Sequence, residues 1–90
     1  MVDPTVAVDA IRLVSDDRND QYGPFADNLQ RIAEMWSALI GHEITKEDVA
    51  LMMVLVKISR SRASYLRDTS VDGVAYFLMY DYMARYSDGG

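Results

Sequence analysis

The fold is decided by the stretch Asp48-Val49-Ala50-Leu51-Met52-Met53-Val54-Leu55-Val56-Lys57, in which eight apolar residues follow one another between an acid and a base. The residues just before it, Thr45-Lys46-Glu47-Asp48, resemble a capping box with Asp in the third position, so a helix should begin at Lys46. Eight consecutive apolar residues cover the whole circumference of a helix. The pattern therefore predicts a central buried helix over about 46–62, packed by neighbours on several sides.

Three other segments have helical spacing of their apolar residues. Asp3-Pro4 is a typical helix start and predicts a helix over about 4–17. Pro24 can open a second helix over 24–40, which Gly41 would end, and Asp68 or Ser70 can cap a last one over about 70–87. No segment alternates as a strand does. The sequence predicts an all-α, four-helix bundle-like protein with a single domain over 1–90.

Length and composition limit the classes of partner. A chain of 90 residues buries only roughly 60–65% of the surface that its unfolded form exposes, so we expect a homo-oligomer to supplement the core. The net charge is −5, and acidic residues are mixed among the basic ones, which argues against duplex nucleic acid as a partner.

The absence of cysteine and the single histidine exclude thiolate and His-rich metal sites. The longest uncharged apolar run has eight residues, far below the roughly 18 that span a bilayer. We therefore expect no membrane association and a cytoplasmic location.

A pair of carboxylates marks the start of the last predicted helix. Asp68 and Asp72 lie four residues apart and project from one side of a helix, so they could hold Mg²⁺, which takes oxygen ligands. The alternative is that Asp68 caps the helix and Asp72 favours its positive end. Both can hold at once.

Basic residues lie close to those acids. Lys57 stands between Val56 and Ile58, so its stem should be buried and its ammonium needs a partner. Together with Arg60 it could bind a phosphate through charge-assisted hydrogen bonds. The alternative is a solvated helix end that pairs with acids. Asp48 is either the capping-box acid or an inward-facing partner for Lys57 or for a metal ion.

Three polar or aromatic residues complete the predicted ligand-binding set. Asn28 falls within the apolar stripe of the second helix, so its amide faces the edge of the core and needs partners. Tyr22 and Tyr76 could stack on a base, although aromatic residues at helical spacing are more often core or interface.

These residues also carry a resemblance. The chain is similar, over about residues 15–80, to small phage and prophage proteins of uncharacterised function that are loosely grouped with MazG-like all-α nucleotide pyrophosphohydrolases. The residues that carry it are Tyr22-Gly23-Pro24, Asn28, Trp36-Ser37-Ala38, Asp48-Val49-Ala50-Leu51-Met52-Met53, Lys57, Arg60, Asp68, Asp72 and Tyr76.

The resemblance to MazG-like enzymes implies a helical dimer or tetramer that hydrolyses nucleoside triphosphates with Mg²⁺ held by acidic pairs from two helices. Such enzymes carry Glu-x-x-Glu on one helix and Glu-x-x-Asp on the next. This chain offers Asp68-x-x-x-Asp72, Asp48 and a lone Glu34, so the first pair has no equivalent.

Three hypotheses follow. The first is a phage-type protein, in the cytoplasm of a host cell, that binds a nucleotide or phosphate and, if catalytic, acts as a Mg²⁺-dependent pyrophosphohydrolase. The second is a non-enzymatic module that binds a host protein. The third is a polar cluster that serves only folding, because a buried ion without a partner costs several kcal/mol.

Overall fold

The computed structural model describes residues 1–17 and 24–86. Helix α1 spans Pro4–Arg12 and continues as a π-helical turn over Leu13–Asp17; α2 spans Phe25–Ile40, α3 spans Lys46–Ser61 and α4 spans Arg67–Tyr86. No strand occurs within these described ranges. The prediction of an all-α domain with four helices is confirmed.

Local sequence signals account for three helix ends. The Asp3 carboxylate accepts a hydrogen bond from the Thr5 backbone N–H at 2.9 Å, which caps α1. At the start of α3, Thr45 and Asp48 form a reciprocal capping box, with N–H to oxygen distances of 3.0 and 3.1 Å. Helix α2 ends where Gly41 takes φ 76°, a left-handed conformation that glycine adopts without strain.

A serine ties the end of α2 to the connection that follows it. The Ser37 hydroxyl donates to the Ala33 carbonyl at 2.7 Å and accepts a hydrogen bond from the Ile44 backbone N–H, also at 2.7 Å. The Gly41 backbone N–H donates to the Ser37 carbonyl at 2.8 Å. Both ends of the short connection between α2 and α3 are therefore hydrogen-bonded to Ser37 of α2.

Helix α4 begins at Arg67, three residues before the predicted start at 70. The Arg67 guanidinium lies 2.8 Å from Asp9 on α1 and donates to the Thr5 hydroxyl at 2.9 Å. Because this contact holds Arg67 against α1, the chain can turn into the helix before either capping candidate is reached. Asp68 consequently lies inside the first turn of α4 rather than at its N-cap.

Helices α3 and α4 form an antiparallel hairpin, which is the most extensive contact of the fold; α1 packs on α4, and α2 packs on α3. The Phe25 ring at the start of α2 makes an edge-on contact with Tyr82 near the end of α4, with centroids 5.5 Å apart. One end of α2 therefore lies near the end of α4, and its other end lies near the start of α3. Helix α2 thus packs at the end of the hairpin that is opposite the α3–α4 connection. The buried core consists of Ala10, Leu29, Ala33, Val49, Ala50, Val54, Val71, Ala75, Tyr76, Met79 and Met83.

Helix α3 differs from the prediction of burial on all sides. Its inner side packs against α2 and α4 through Val49, Ala50 and Val54. Its outer side leaves Leu55 at 63% exposure and Ile58 at 55%. The physical reason is that α2 and α4, the two helices that pack extensively on α3 within the described ranges, do not cover its whole circumference.

No helix in the described ranges combines the length and the apolar character that a bilayer span requires.

Candidate functional site at the corner of α3 and α4

An ion pair joins the two helices of the hairpin near their connection. The Lys57 ammonium lies 2.8 Å from an Asp72 carboxylate oxygen, and the two side chains are 14% and 32% exposed. The sequence predicted that the Lys57 ammonium needs a partner but did not identify it. The structure shows that this partner is Asp72, on the next helix. Because a lysine ammonium has three N–H donors, this contact leaves donors over.

Arg60 and Asp68 lie closer to the connection than this pair. Arg60 follows Lys57 by three residues and is exposed, and Asp68 precedes Asp72 by four and is also exposed. Residues at these spacings share one side of a helix. We call the four residues Lys57, Arg60, Asp68 and Asp72 the corner site. Within the described ranges, neither Arg60 nor Asp68 takes part in an ion pair.

The sequence around the corner is cationic in an acidic chain. Between Val49 and Arg67 there is no acid, whereas Lys57, Arg60, Arg62 and Arg67 all fall in this stretch. Asp9 accepts a hydrogen bond from Arg67, and this bond raises the pKa of the Arg67 guanidinium above its usual value. Arg67 is thus committed to α1. The dipole at the N-terminus of α4 adds partial positive charge to the same corner.

Two predicted site residues lie away from the corner. Asp48 belongs to the capping box of α3 and is nine residues from Lys57, a separation of about 13–14 Å along the helix axis. Asn28 is one turn after Phe25, whose ring contacts Tyr82. Tyr82 is ten residues beyond Asp72 on α4, about 15 Å along its axis, so Asn28 belongs to the opposite end of the hairpin.

The two tyrosines predicted to stack on a base have different outcomes. Tyr76 is part of the core and only 8% exposed, so its ring is not open to a ligand. Tyr22 lies outside the described residues. Tyr65, in the connection between α3 and α4, is 77% exposed, and it is the aromatic side chain nearest in sequence to Asp68.

The predicted Mg²⁺ pair is Asp68 and Asp72. One oxygen of Asp72 already contacts the Lys57 ammonium, whose positive charge opposes a second cation at that carboxylate. Within the described ranges no cluster of three acidic, His or Cys side chains could hold a metal. Lys57 would therefore compete with a metal ion for the Asp72 carboxylate.

A cleft at the opposite end of α4 was not predicted. It has a volume of about 450 Å³ and lies between the end of α1, the start of α2 and the end of α4. Its lining comprises Ile11, Val14, Ser15, Phe25, Leu78, Asp81, Tyr82, Arg85 and Tyr86. The i, i+4 spacing of Tyr82 and Tyr86 could have indicated a shared aromatic face, and their rings lie 5.0 Å apart.

Comparison with known proteins places the chain among phage proteins. The model of the family described as Domain of unknown function (DUF6378) matches residues 5–84. The Gene 55 protein of Mycobacterium phage L5 is 39% identical over 74 residues, which cover 80% of this chain and 47% of that protein. The Gene 55 protein of Mycobacterium phage D29 is 36% identical over 73 residues, with coverage of 80% and 48%.

The chain spans about half the length of these curated relatives. No solved structure matches it. The descriptions of the family and of the two relatives name no activity, so the resemblance to MazG-like pyrophosphohydrolases stays a prediction.

Proposed function

Since the chain belongs to the DUF6378 family, a small phage-type domain of unknown function, we propose that it binds a nucleotide through its phosphate groups at the corner site. One observation carries the proposal. Residues 49–67 hold four bases and no acid in a chain of net charge −5. Two of those bases, Lys57 and Arg67, have carboxylate partners, whereas Arg60 has none within the described ranges.

Each corner residue has a role that its chemistry supports. Lys57, oriented by Asp72, offers its remaining N–H donors to a phosphate oxygen. Arg60 supplies a planar pair of donors on the same side of α3. Asp68 is an acceptor and repels phosphate, so it suits the hydroxyl groups of a ribose. The exposed ring of Tyr65 offers an apolar surface for a base.

The proposal is binding rather than turnover. Metal-assisted phosphate hydrolysis requires carboxylates that hold one or two metal ions against the phosphates. The corner provides two carboxylates, one of which is engaged by Lys57. Mg²⁺ would therefore enter with the nucleotide, as the counter-ion of its phosphates, rather than bind to the corner carboxylates beforehand.

The test is a thermal shift series followed by calorimetry. Purified protein is melted with millimolar ATP, dTTP, cyclic AMP or pyrophosphate, with and without Mg²⁺. A ligand present at 100 times its dissociation constant stabilises the folded state by about 2.7 kcal/mol, a shift of about 10–20 °C in melting temperature for a domain of this size. We expect such a shift with at least one nucleotide.

Matched variants assign the site. Arg60→Ser should weaken nucleotide binding about tenfold or more, because it removes a charged hydrogen-bonding group. Arg31→Ser is the control, since Arg31 is an exposed arginine of α2. If binding survives Arg60→Ser and is lost in Tyr82→Ala, the ligand occupies the aromatic cleft and the corner assignment is wrong.

A non-enzymatic module that binds a host protein is the competing function. It predicts that no nucleotide or pyrophosphate changes the melting temperature. It also predicts that Lys57→Met and Arg60→Ser retain the biological activity of the protein. These two results together would contradict the proposal that the corner site binds a nucleotide.

A further inference from the structure

The exposed side of α3 carries an ordered pattern of residues. Glu47, Leu51, Leu55, Ile58 and Arg62 follow one another at spacings of four, four, three and four, which places them along one side of the helix axis. We call this set the outer stripe. Its three apolar members are 36%, 63% and 55% exposed, from Leu51 to Ile58.

The outer stripe is complementary to a second copy of itself that runs in the opposite direction. Glu47 and Arg62 are equally far from its midpoint, and so are Leu51 and Ile58, while Leu55 lies next to the midpoint. When two such helices pack antiparallel about a two-fold axis, every position meets its counterpart. Acid then meets base at both ends, and apolar residues meet in the middle.

We propose that the outer stripe is a homodimer interface, in which α3 of one chain packs antiparallel against α3 of a second copy. Glu47 of each chain pairs with Arg62 of the other, Leu51 packs on Ile58, and Leu55 meets itself across the axis. This is an isologous contact, in which one surface is complementary to itself. A parallel pairing would instead place glutamate on glutamate and arginine on arginine.

The charged ends of the stripe are available for this contact. Arg62 takes part in no ion pair within the described ranges. The Glu47 carboxylate already pairs with the ammonium of the adjacent Lys46 at 3.6 Å, and its side chain is 22% exposed. On dimerisation Arg62 therefore gains a charged partner and Glu47 gains a second one, and the two pairs select the antiparallel arrangement over the parallel one.

The contact is confined to one side of a single helix. From Glu47 to Arg62 the stripe extends about 22 Å along the helix axis. Lys57 faces α4 rather than the outer side of α3, and no residue of the outer stripe belongs to the corner site. The dimer can therefore be tested separately from nucleotide binding.

The first experiment measures mass against concentration by analytical ultracentrifugation of the whole chain. We expect the wild type to dimerise and Leu55→Asp to weaken the dimer about a hundredfold, because two carboxylates would face each other at the centre. The matched control is Leu39→Asp, which alters an 86% exposed leucine of α2 and should leave the dimer intact. Circular dichroism checks that each variant remains helical.

Charge reversal provides a second measurement. Glu47→Arg and Arg62→Glu should each weaken the dimer about tenfold, since like charges then face each other at both ends. The double variant Glu47→Arg/Arg62→Glu should recover the wild-type dissociation constant. A double variant weaker than either single one would contradict the antiparallel pairing.

The absence of cysteine makes the orientation directly testable. Under mild oxidation, Leu55→Cys should cross-link with itself. Leu51→Cys should not do so alone, but it should cross-link when mixed with Ile58→Cys. A wild type that stays monomeric at millimolar concentration, or self-cross-linking of Leu51→Cys in preference to the mixed pair, would overturn the proposal.

Discussion

The two ends of α4 are attached to the rest of the fold by different kinds of contact. At the N-terminal end, charged side chains bridge separate helices: Lys57 reaches Asp72, and Arg67 reaches Asp9. At the C-terminal end, rings make the contact between helices, and the ion pair of Arg85 with Asp81 stays within α4 itself. Ion pairs therefore connect separate helices at the N-terminal end of α4, whereas the ion pair at its C-terminal end connects two residues of α4 itself.

The difference follows from what surrounds each pair. Lys57 is 14% exposed, so it exchanges hydration for the Asp72 carboxylate, and its removal leaves an acid with reduced access to water. Arg85 is 62% exposed and loses little hydration. Charged contacts should therefore set the geometry at the N-terminal end, whereas apolar burial should supply the stability at the C-terminal end.

The largest expected effect comes from breaking the apolar end. Leu29 on α2 is fully buried, so Leu29→Ala should lower the free energy of unfolding by about 3 kcal/mol through lost burial and a residual cavity. Urea denaturation measures the change. Leu39→Ala, at an 86% exposed position of the same helix, should cost less than about 0.5 kcal/mol. Equal losses would mean that α2 is not docked as described.

A smaller effect compares the two ion pairs directly. Lys57→Met keeps the apolar stem but removes the charge, and it should cost about 1–2 kcal/mol because Asp72 stays half-buried without its partner. Arg85→Met should cost only about 0.3–0.5 kcal/mol, as exposed i, i+4 pairs within a helix do. Urea denaturation of both variants at low and high salt gives the comparison. If the two costs are equal, the Lys57 pair is no more than a surface contact.

The smallest effect concerns the capping aspartate at the start of α1. The Thr5 hydroxyl and backbone N–H, and more weakly the positive charge of Arg67, lower the pKa of Asp3 below its usual value of 3.8. A carboxyl with a lowered pKa stabilises the fold above its usual pKa, and this contribution is lost as the pH falls through the lower folded value.

Asp3→Asn retains a hydrogen-bond acceptor that does not titrate. Its melting temperature should therefore decline less steeply than that of the wild type between about pH 4 and pH 2. Thermal melts across that range test the expectation. Parallel curves for the two proteins would show that the Asp3 carboxylate gains nothing from Thr5.

Contacts between residues close in sequence were predictable, and contacts between distant residues were not. The Thr45 capping box and the stop at Gly41 depend on a few adjacent residues, and both were read correctly from the sequence. That Lys57 needed a partner was also readable, because it interrupts an apolar run. Which acid would meet it, Asp48 or Asp72, depended on how the hairpin packs.

The aromatic residues show the same limit. Helix α4 is apolar on most of its sides, so its sequence does not distinguish Tyr76, which is buried, from Tyr82, which lines the cleft. The choice is made by α1 and α2, and the contact of Phe25 with Tyr82 joins residues far apart in the chain. Helical periodicity contains no information about such a neighbour.

The hydroxyl of Ser37 has a consequence for the slow motions of the molecule. It accepts a hydrogen bond from the Ile44 backbone N–H and donates one to the Ala33 carbonyl, so we expect the end of α2 and the approach to α3 to open together. The Ile44 amide should therefore exchange with deuterium at a rate close to that of the helical amides beside it, although it lies in a connecting segment. Helix α2 and the first turn of α3 would then behave as one cooperative unit, whose opening exposes the cleft end while the corner stays folded.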